Sequence, residues 1–179
     1  GTAFSASVDL DNGIGVAFGY EGQDNAGGLG TNAATDAYAF NLSYIKDRYG
    51  FSYVFGDGET LETSAFNAFF TPDLDRFPSI SFGIEWTHDE TVASDDSDDF
   101  SHYFIGAQFD NVGNGTLGAA IGSKTPYAED TDAETMWEAY YAYNYADGIT
   151  ITPVVYVKEN AATNVDDETG IILKTTFEF

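Results

Sequence analysis

The chain has 179 residues, with 6 Lys and Arg against 30 Asp and Glu, a formal net charge of −24 and no cysteine. The absence of cysteine excludes a disulfide-stapled scaffold and a thiolate metal site, and the acidic balance argues against a nucleic-acid partner, which needs a basic surface. Aromatic residues make up 16%, whereas acidic disordered chains are poor in them. No apolar run reaches the length of about 18 residues that predicts a transmembrane helix.

The first half of the chain alternates between apolar and polar residues. Such alternation indicates two-faced β-strands, and it occupies residues 4–10, 14–20, 38–44 and 49–55. Residues 61–70 form a fifth candidate whose two faces are ambiguous. The chain starts directly in this alternation, without a Met or a signal peptide, so we expect a mature product or part of a longer polypeptide.

Six further runs alternate in the second half, at 80–86, 103–109, 117–121, 137–145, 149–157 and 171–179. Residues 132–143 are rich in Ala and Glu, but the spacing of two between their aromatic residues favours a strand over a helix. The sequence therefore predicts an all-β chain of eleven strands with essentially no helix.

The predicted connections tend to alternate in length. The shorter ones lie at 11–13, 46–48, 71–78, 110–115 and 146–148; the longer ones lie at 22–36, 56–60, 88–99, 124–133 and 159–169, of which 56–60 is shorter than its neighbour 71–78. Asn-Gly and Asp-Gly pairs in two of the shorter turns are hairpin signals. An antiparallel up-and-down meander with different loop lengths at its two ends is typical of a transmembrane β-barrel.

The composition of the two strand faces favours lipid over a packed core. The second face is mostly Gly, Ala, Ser, Thr and Asn, where a soluble barrel usually carries many charges. The first face places amphipathic rings near strand ends, as membrane interfaces favour; these are Tyr20, Tyr38, Tyr44, Tyr49, Trp86, Tyr103 and Tyr145. The final run ends in Phe179, which resembles the assembly signal of bacterial outer-membrane proteins.

Several runs resemble cyanobacterial outer-membrane porins of the carbohydrate-selective, OprB-like family. They are SHYFIGAQFD at 101–110, NGTLGAAIGS at 114–123, WEAYYAYN at 137–144, ITITPVVY at 149–156 and GIILKTTFEF at 170–179. None is a sharp motif, and the likeness lies in their sum. The resemblance implies a trimeric porin in the cell outer membrane, with a barrel of about sixteen strands, that passes carbohydrates or inorganic ions.

Residues 1–179 then form the C-terminal portion of a porin β-barrel domain. Bacterial single-chain barrels have even strand numbers, and an open edge in lipid leaves backbone groups unsatisfied. We therefore expect the missing strands to precede Gly1. The alternative is that the count is wrong by one and that the barrel is a small one of about ten or twelve strands. The C-terminus is expected on the periplasmic side, which places 46–48, 71–78 and 146–148 there.

The second face predicts the lining of the channel. Its charged or larger polar members favour a water-filled lumen, because such groups are costly where water does not reach them, although a plugged lumen with internal ion pairs is an alternative. The predicted pore-lining residues are Glu21, Glu85, His102, Gln108, Glu138, Tyr140, Lys158, Lys174 and Glu178.

Most of the acidic residues lie in the longer connections. They form either a solvated surface or a negative vestibule that concentrates cations. A calcium site at Asp130, Asp132 and Glu134 is a third possibility, although this spacing lacks the glycine of an EF-hand loop.

Signatures of enzymes are thin. His88, placed in a loop, and His102, placed on a strand, have no recognisable nucleophile motif beside them, and the glycines at 13, 15 and 19 lie in a strand without the helix that a dinucleotide loop needs. We expect no catalysis, cofactor or resident metal. The sequence thus predicts a porin for small hydrophilic solutes and ions; the alternative is a secreted acidic β-sandwich or adhesin that binds carbohydrate or calcium.

Overall fold

The computed structural model describes residues 2–22, 36–74, 77–91, 99–123, 127–128, 133–160 and 165–178. Every regular element in these ranges is a strand, as the alternation predicts. The strands are β1 (Thr2–Asp9), β2 (Ile14–Gly22), β3 (Asp36–Lys46), β4 (Tyr49–Asp57), β5 (Leu61–Phe70), β6 (Ser79–Asp89), β7 (Asp99–Phe109), β8 (Gly115–Ser123), β9 (Tyr127–Ala128), β10 (Thr135–Ala146), β11 (Ile149–Lys158) and β12 (Glu168–Phe177). No helix among the described residues is long and apolar enough to cross a membrane.

The strands pair in the order in which they occur in the chain. Eleven of them, β1–β8 and β10–β12, follow one another through a single antiparallel sheet, and the two-residue β9 pairs with β7. These eleven correspond to the eleven predicted strands, and the predicted all-β meander is confirmed. They contain between 8 residues (β1) and 12 residues (β10). β9 was not predicted and falls within the expected connection 124–133.

Two tight turns have the glycines that their backbone requires. Gly13 has φ +91° in the turn between β1 and β2, and Gly148 has φ +71° between β10 and β11. Both values lie in the left-handed region, which favours residues without a Cβ. The Asn12 side chain accepts a hydrogen bond of 3.2 Å from the Ile14 N–H, which further fixes the first turn. The predicted hairpins at 11–13 and 146–148 are thus confirmed.

The long and short connections fall at alternate ends of the strands. Because neighbouring strands are antiparallel, every second connection leaves from the same end. In each unit we call the end that carries the shorter connections the short-turn end; these connections are 10–13 and 47–48 in the first unit and 71–78, 110–114 and 147–148 in the second. The connection 58–60, placed among the longer ones in sequence, is a tight three-residue turn, in which the Gly58 N–H donates to the Leu61 carbonyl at 2.9 Å.

Contacts divide the chain into two compact units. The first comprises Gly1–Ala68, Gly83–Ser101 and Ala128–Asp130, and the second comprises Phe69–Phe82, His102–Tyr127 and Thr131–Phe179. In each of them the strands present one apolar face and one polar face, because residues directly opposite each other on paired strands lie on the same side of a sheet.

In the first unit, register aligns the apolar positions of four strands. One cross-strand row contains Ala6, Phe18, Phe40 and Phe55, and the next contains Val8, Val16, Leu42 and Tyr53. Contacts with β4 assign the faces of β5, which the sequence left ambiguous: Phe66 stacks on Phe51 at 6.4 Å, and the Ser64 hydroxyl lies 3.0 Å from that of Tyr53. Ser64 and Phe66 therefore belong to the apolar face.

The second unit repeats this arrangement from β7 to β12. One apolar row contains Ile105, Ile121, Trp137, Val157 and Thr169, and a second contains Ala107, Ala119, Ala139, Val155 and Ile171. The apolar positions predicted along each strand thus form continuous rows across the paired strands.

No apolar side chain among the described residues is buried. Large apolar side chains are instead exposed along the apolar face, with Ile171 at 77%, Leu173 at 68% and Phe177 at 57% in β12. A water-soluble domain is held together mainly by removing such groups from water. Within the described part of the chain, the apolar face has no protein layer packed on it.

Candidate functional site

The polar face of the second unit holds most of the predicted pore-lining residues. Gln108 pairs with Gly118, and Gly118 in turn pairs with Tyr140. Glu138 occupies the adjacent row, opposite Ala120 and Tyr156. Small residues between the large ones leave room above the backbone, so the polar side chains are only half-buried.

The Tyr140 ring lies across the neighbouring strand. A Cβ added to Gly118 would overlap the Tyr140 ring. The Tyr140 hydroxyl donates to Gln108 Oε1 at 2.8 Å, and Gln108 Nε2 donates to Asp110 Oδ1 at 3.0 Å. The Thr116 hydroxyl donates a longer bond of 3.4 Å to the same oxygen of Asp110. This chain of hydrogen bonds fixes a phenol, an amide and a carboxylate on one face of β7, β8 and β10.

A second tyrosine lies over a glycine between β11 and β12. A Cβ on Gly170 would overlap the Tyr156 ring, whose hydroxyl donates to Glu168 Oε1 at 3.1 Å. Lys158 Nζ lies 3.3 Å from the same oxygen and 5.0 Å from the centroid of the Tyr156 ring. The positive charge of Lys158, one of the predicted lining residues, is therefore paired locally with Glu168.

The remaining predicted residues of the second unit also occupy polar positions, on their strands or, for Glu178, directly after β12. His102 Nε2 lies 2.9 Å from the Ser123 carbonyl oxygen, which ties its ring to β8. Lys174 is opposite Thr152 and is exposed. Glu178 follows β12, and its backbone N–H donates to the Gly148 carbonyl at 2.8 Å.

In the first unit, Glu21 and Glu85 both occupy polar positions. Glu21 is opposite Ala3 on β1 and Ala37 on β3, and it is exposed. Glu85 is also exposed and alternates with the apolar Ile84 and Trp86 along β6. The hydroxyls of Thr63 and Thr87 lie 3.3 Å apart, so β5 and β6 share this face.

His88 lies on β6, so the prediction that it lies in a loop is wrong. The β6 ladder continues past Thr87, because the Glu90 N–H donates to the Thr60 carbonyl at 2.9 Å. His88 Nδ1 lies 2.8 Å from Asp99 Oδ1 at the start of β7. Among the described residues no group of three or more His, Asp or Glu side chains is placed to hold a metal ion. Asp130 and Asp132 of the considered calcium site lie outside the described residues.

Aromatic residues occur at both ends of the apolar face in the first unit. Tyr20 and Tyr38 are opposite each other, far from the short-turn end. Tyr44 and Tyr49 lie near the short-turn end with their ring centroids 6.0 Å apart. Rows of Phe, Leu and Val separate these two levels, so the rings flank an apolar band.

Three residues on the polar face of the second unit were not among the predicted pore-lining residues. Phe69, Phe104 and Asp110 line a groove there together with Gln108 and Tyr140. Alternation along β7 places Phe104 on the same face as His102 and Gln108. Its place on the polar face could therefore have been predicted from the sequence. Asp110 follows the strand, and only the three-dimensional contact with Gln108 identifies it.

Comparison with known protein families, curated proteins and solved structures gives no match to this chain.

Proposed function

We propose that this chain belongs to an outer-membrane porin whose β-barrel holds a water-filled channel for passive diffusion of small hydrophilic solutes and ions. The observation that carries the proposal is the exposed apolar face of the antiparallel strands in each unit, without a buried apolar core among the described residues. An apolar surface of this extent marks an interaction site, and a face formed by a long row of antiparallel strands fits lipid.

Three features of the apolar face support lipid as its environment. Transmembrane strands need about 9–11 residues, and the eleven long strands contain 8 to 12. Tyrosines flank the apolar band of the first unit, as they do at membrane interfaces. No Lys, Arg, Asp or Glu occurs in the four rows of apolar residues described above.

The polar face supports a watery lumen. It combines Gly, Ala, Ser and Thr with half-buried or exposed Glu, Lys, Gln and Tyr. Buried charges would be costly without water or partners, and here Glu21, Glu85 and Lys174 are exposed. We propose that the nine residues predicted from the sequence line the channel.

The resemblance noted in the sequence supports the remaining elements of the proposal: a location in the outer membrane, a homotrimer, a larger barrel to which this chain contributes the C-terminal strands, and carbohydrates or inorganic ions as solutes. In any such barrel the outer edges of β1 and β12 must be covered by strands, because unpaired backbone groups are not tolerated in lipid.

Planar-bilayer recording of the purified protein tests the function. We expect ohmic conductance with weak cation selectivity in a salt gradient, because acidic side chains outnumber basic ones along the proposed lining. The preference should weaken as salt rises, since screening acts over about 8 Å at physiological ionic strength. A reversal potential of anionic sign would contradict the assigned lining, and the absence of conductance would remove the function.

Extraction from cell envelopes distinguishes the porin from a secreted sandwich or adhesin. We expect the protein to remain in the membrane fraction in buffer and to require detergent for release. Release in buffer alone would contradict an integral barrel.

A further inference from the structure

A groove on the polar face of the second unit combines aromatic rings with a carboxylate. It has a volume of about 530 Å³, and its lining reaches Thr71 and Asp110, which directly follow β5 and β7. Its lining includes Phe69, Phe104, Gln108, Asp110 and Tyr140. The lining contains no Lys or Arg among the described residues, so Asp110 sets its charge.

The hydrogen bonds hold two elements of this groove in place. Packing over Gly118 fixes the Tyr140 ring, and the Tyr140 hydroxyl donates its hydrogen bond to Gln108. Within the described residues, Asp110 accepts hydrogen bonds from Gln108 and Thr116, both at Oδ1. Asp110 is exposed, and Phe104 is 43% exposed, so a charged oxygen and an aromatic surface both face the groove.

We propose that this groove binds organic cations, namely alkylammonium or guanidinium groups. A cation of this kind is attracted by the faces of aromatic rings, and Asp110 adds a negative charge that a neutral solute would not use. The net charge of −24 favours the approach of the same solutes. This inference rests on the proposed function for its place in a channel, where the groove would slow and select permeating cations.

Tetraethylammonium is a suitable probe, because it carries a diffuse positive charge and donates no hydrogen bond. We expect it to reduce potassium current through the protein in a planar bilayer at constant ionic strength. The variant Asp110→Asn keeps the shape and hydrogen-bonding oxygen of the side chain but removes its charge. It should weaken the block about fivefold, the size expected for one exposed charge interaction.

Matched variants separate the groove from general charge effects. Asp147→Asn makes the same change in a turn at the short-turn end but outside the groove, and it should leave the block unchanged. Phe104→Leu removes a ring and should weaken the block about threefold. An equal effect of Asp110→Asn and Asp147→Asn would overturn the proposal, as would block by glucose at the same concentration.

Binding is also measured without a pore, by saturation-transfer NMR of tetraethylammonium with the detergent-solubilised protein. Binding that depends on Asp110, without conductance, would retain this site and contradict the porin function. Conductance without either binding or block would retain the porin and overturn this site.

Discussion

The ring of Tyr140 on β10 occupies the space above Gly118 on β8. A Cβ at Gly118 would overlap the ring. The Tyr140 hydroxyl donates a hydrogen bond of 2.8 Å to Gln108 Oε1 on β7. Three strands are thereby joined by one side chain that needs a glycine beneath it. Aromatic rings that cover glycines in this way help to fix register in antiparallel sheets.

We expect Gly118→Ala to destabilise the folded chain by about 2 kcal/mol, because the added methyl group displaces a packed ring. Gly19→Ala is the matched control, since a Cβ at Gly19 would meet nothing within 4 Å. Denaturant unfolding of both variants in lipid vesicles measures the difference. In a Tyr140→Ala background the cost of Gly118→Ala should largely disappear; an unchanged cost would contradict the packing account.

Two aspartates in two-residue turns should respond oppositely to replacement by glycine. Asp47 has φ +49°, whereas Asp147 is not among the described residues with positive φ. Asp47→Gly should stabilise the chain by about 0.5 kcal/mol, because relief of left-handed strain exceeds the entropy that glycine adds to the unfolded state. Asp147→Gly should destabilise it by about 0.5–1 kcal/mol. Unfolding midpoints report both values, and a shared sign would contradict the assigned turn geometry.

Neighbouring positions on β3 should differ sharply in their tolerance of charge. Phe40 lies on the apolar face and Asn41 on the polar face. Phe40→Arg should destabilise the lipid-inserted protein by about 2–4 kcal/mol, since an arginine near the bilayer centre must leave water. Asn41→Arg should change stability by less than about 1 kcal/mol. Unfolding from vesicles compares them, and equal costs would be inconsistent with one lipid face and one water face.

Removing the partner of Lys158 should alter ion selectivity more than stability. Lys158 is 36% exposed and Glu168 is 61% exposed, so their pairing contributes at most about 1 kcal/mol. Glu168→Gln leaves the Lys158 charge uncompensated and should lower the preference for cations in reversal-potential measurements. The double variant Lys158→Gln/Glu168→Gln should restore the original potential. A potential unaffected by Glu168→Gln would place this pair away from the ion path.

Sequence alternation predicted the eleven long strands, and it predicted the faces of all of them except β5, because one face of each of these strands is almost uniformly apolar. The glycine turns at Gly13 and Gly148 were predicted for a local reason, namely the left-handed φ that each requires. The predicted lining residues lie at polar positions along their strands or, for Glu178, directly after one, since a period of two determines the face of each residue.

Features that depend on register were not predicted. The overlap of Tyr140 with Gly118 requires a particular alignment of β8 and β10, which the long connection between them does not encode. His88 was placed in a loop because the alternation weakens there, yet pairing with β5 extends β6 to Asp89. The two-residue β9 is too short to produce a periodic signal.

Quenching of tryptophan fluorescence tests the lipid-facing sheet most directly. Both tryptophans occupy the apolar face, with Trp86 at 46% and Trp137 at 44% exposed, and Trp137 is opposite Ile121 and Val157. In vesicles of brominated lipid we expect strong quenching relative to unbrominated lipid, for the original protein and for each single-tryptophan variant, Trp86→Phe and Trp137→Phe. Equal fluorescence in the two kinds of vesicle would contradict the claim that the apolar face meets lipid.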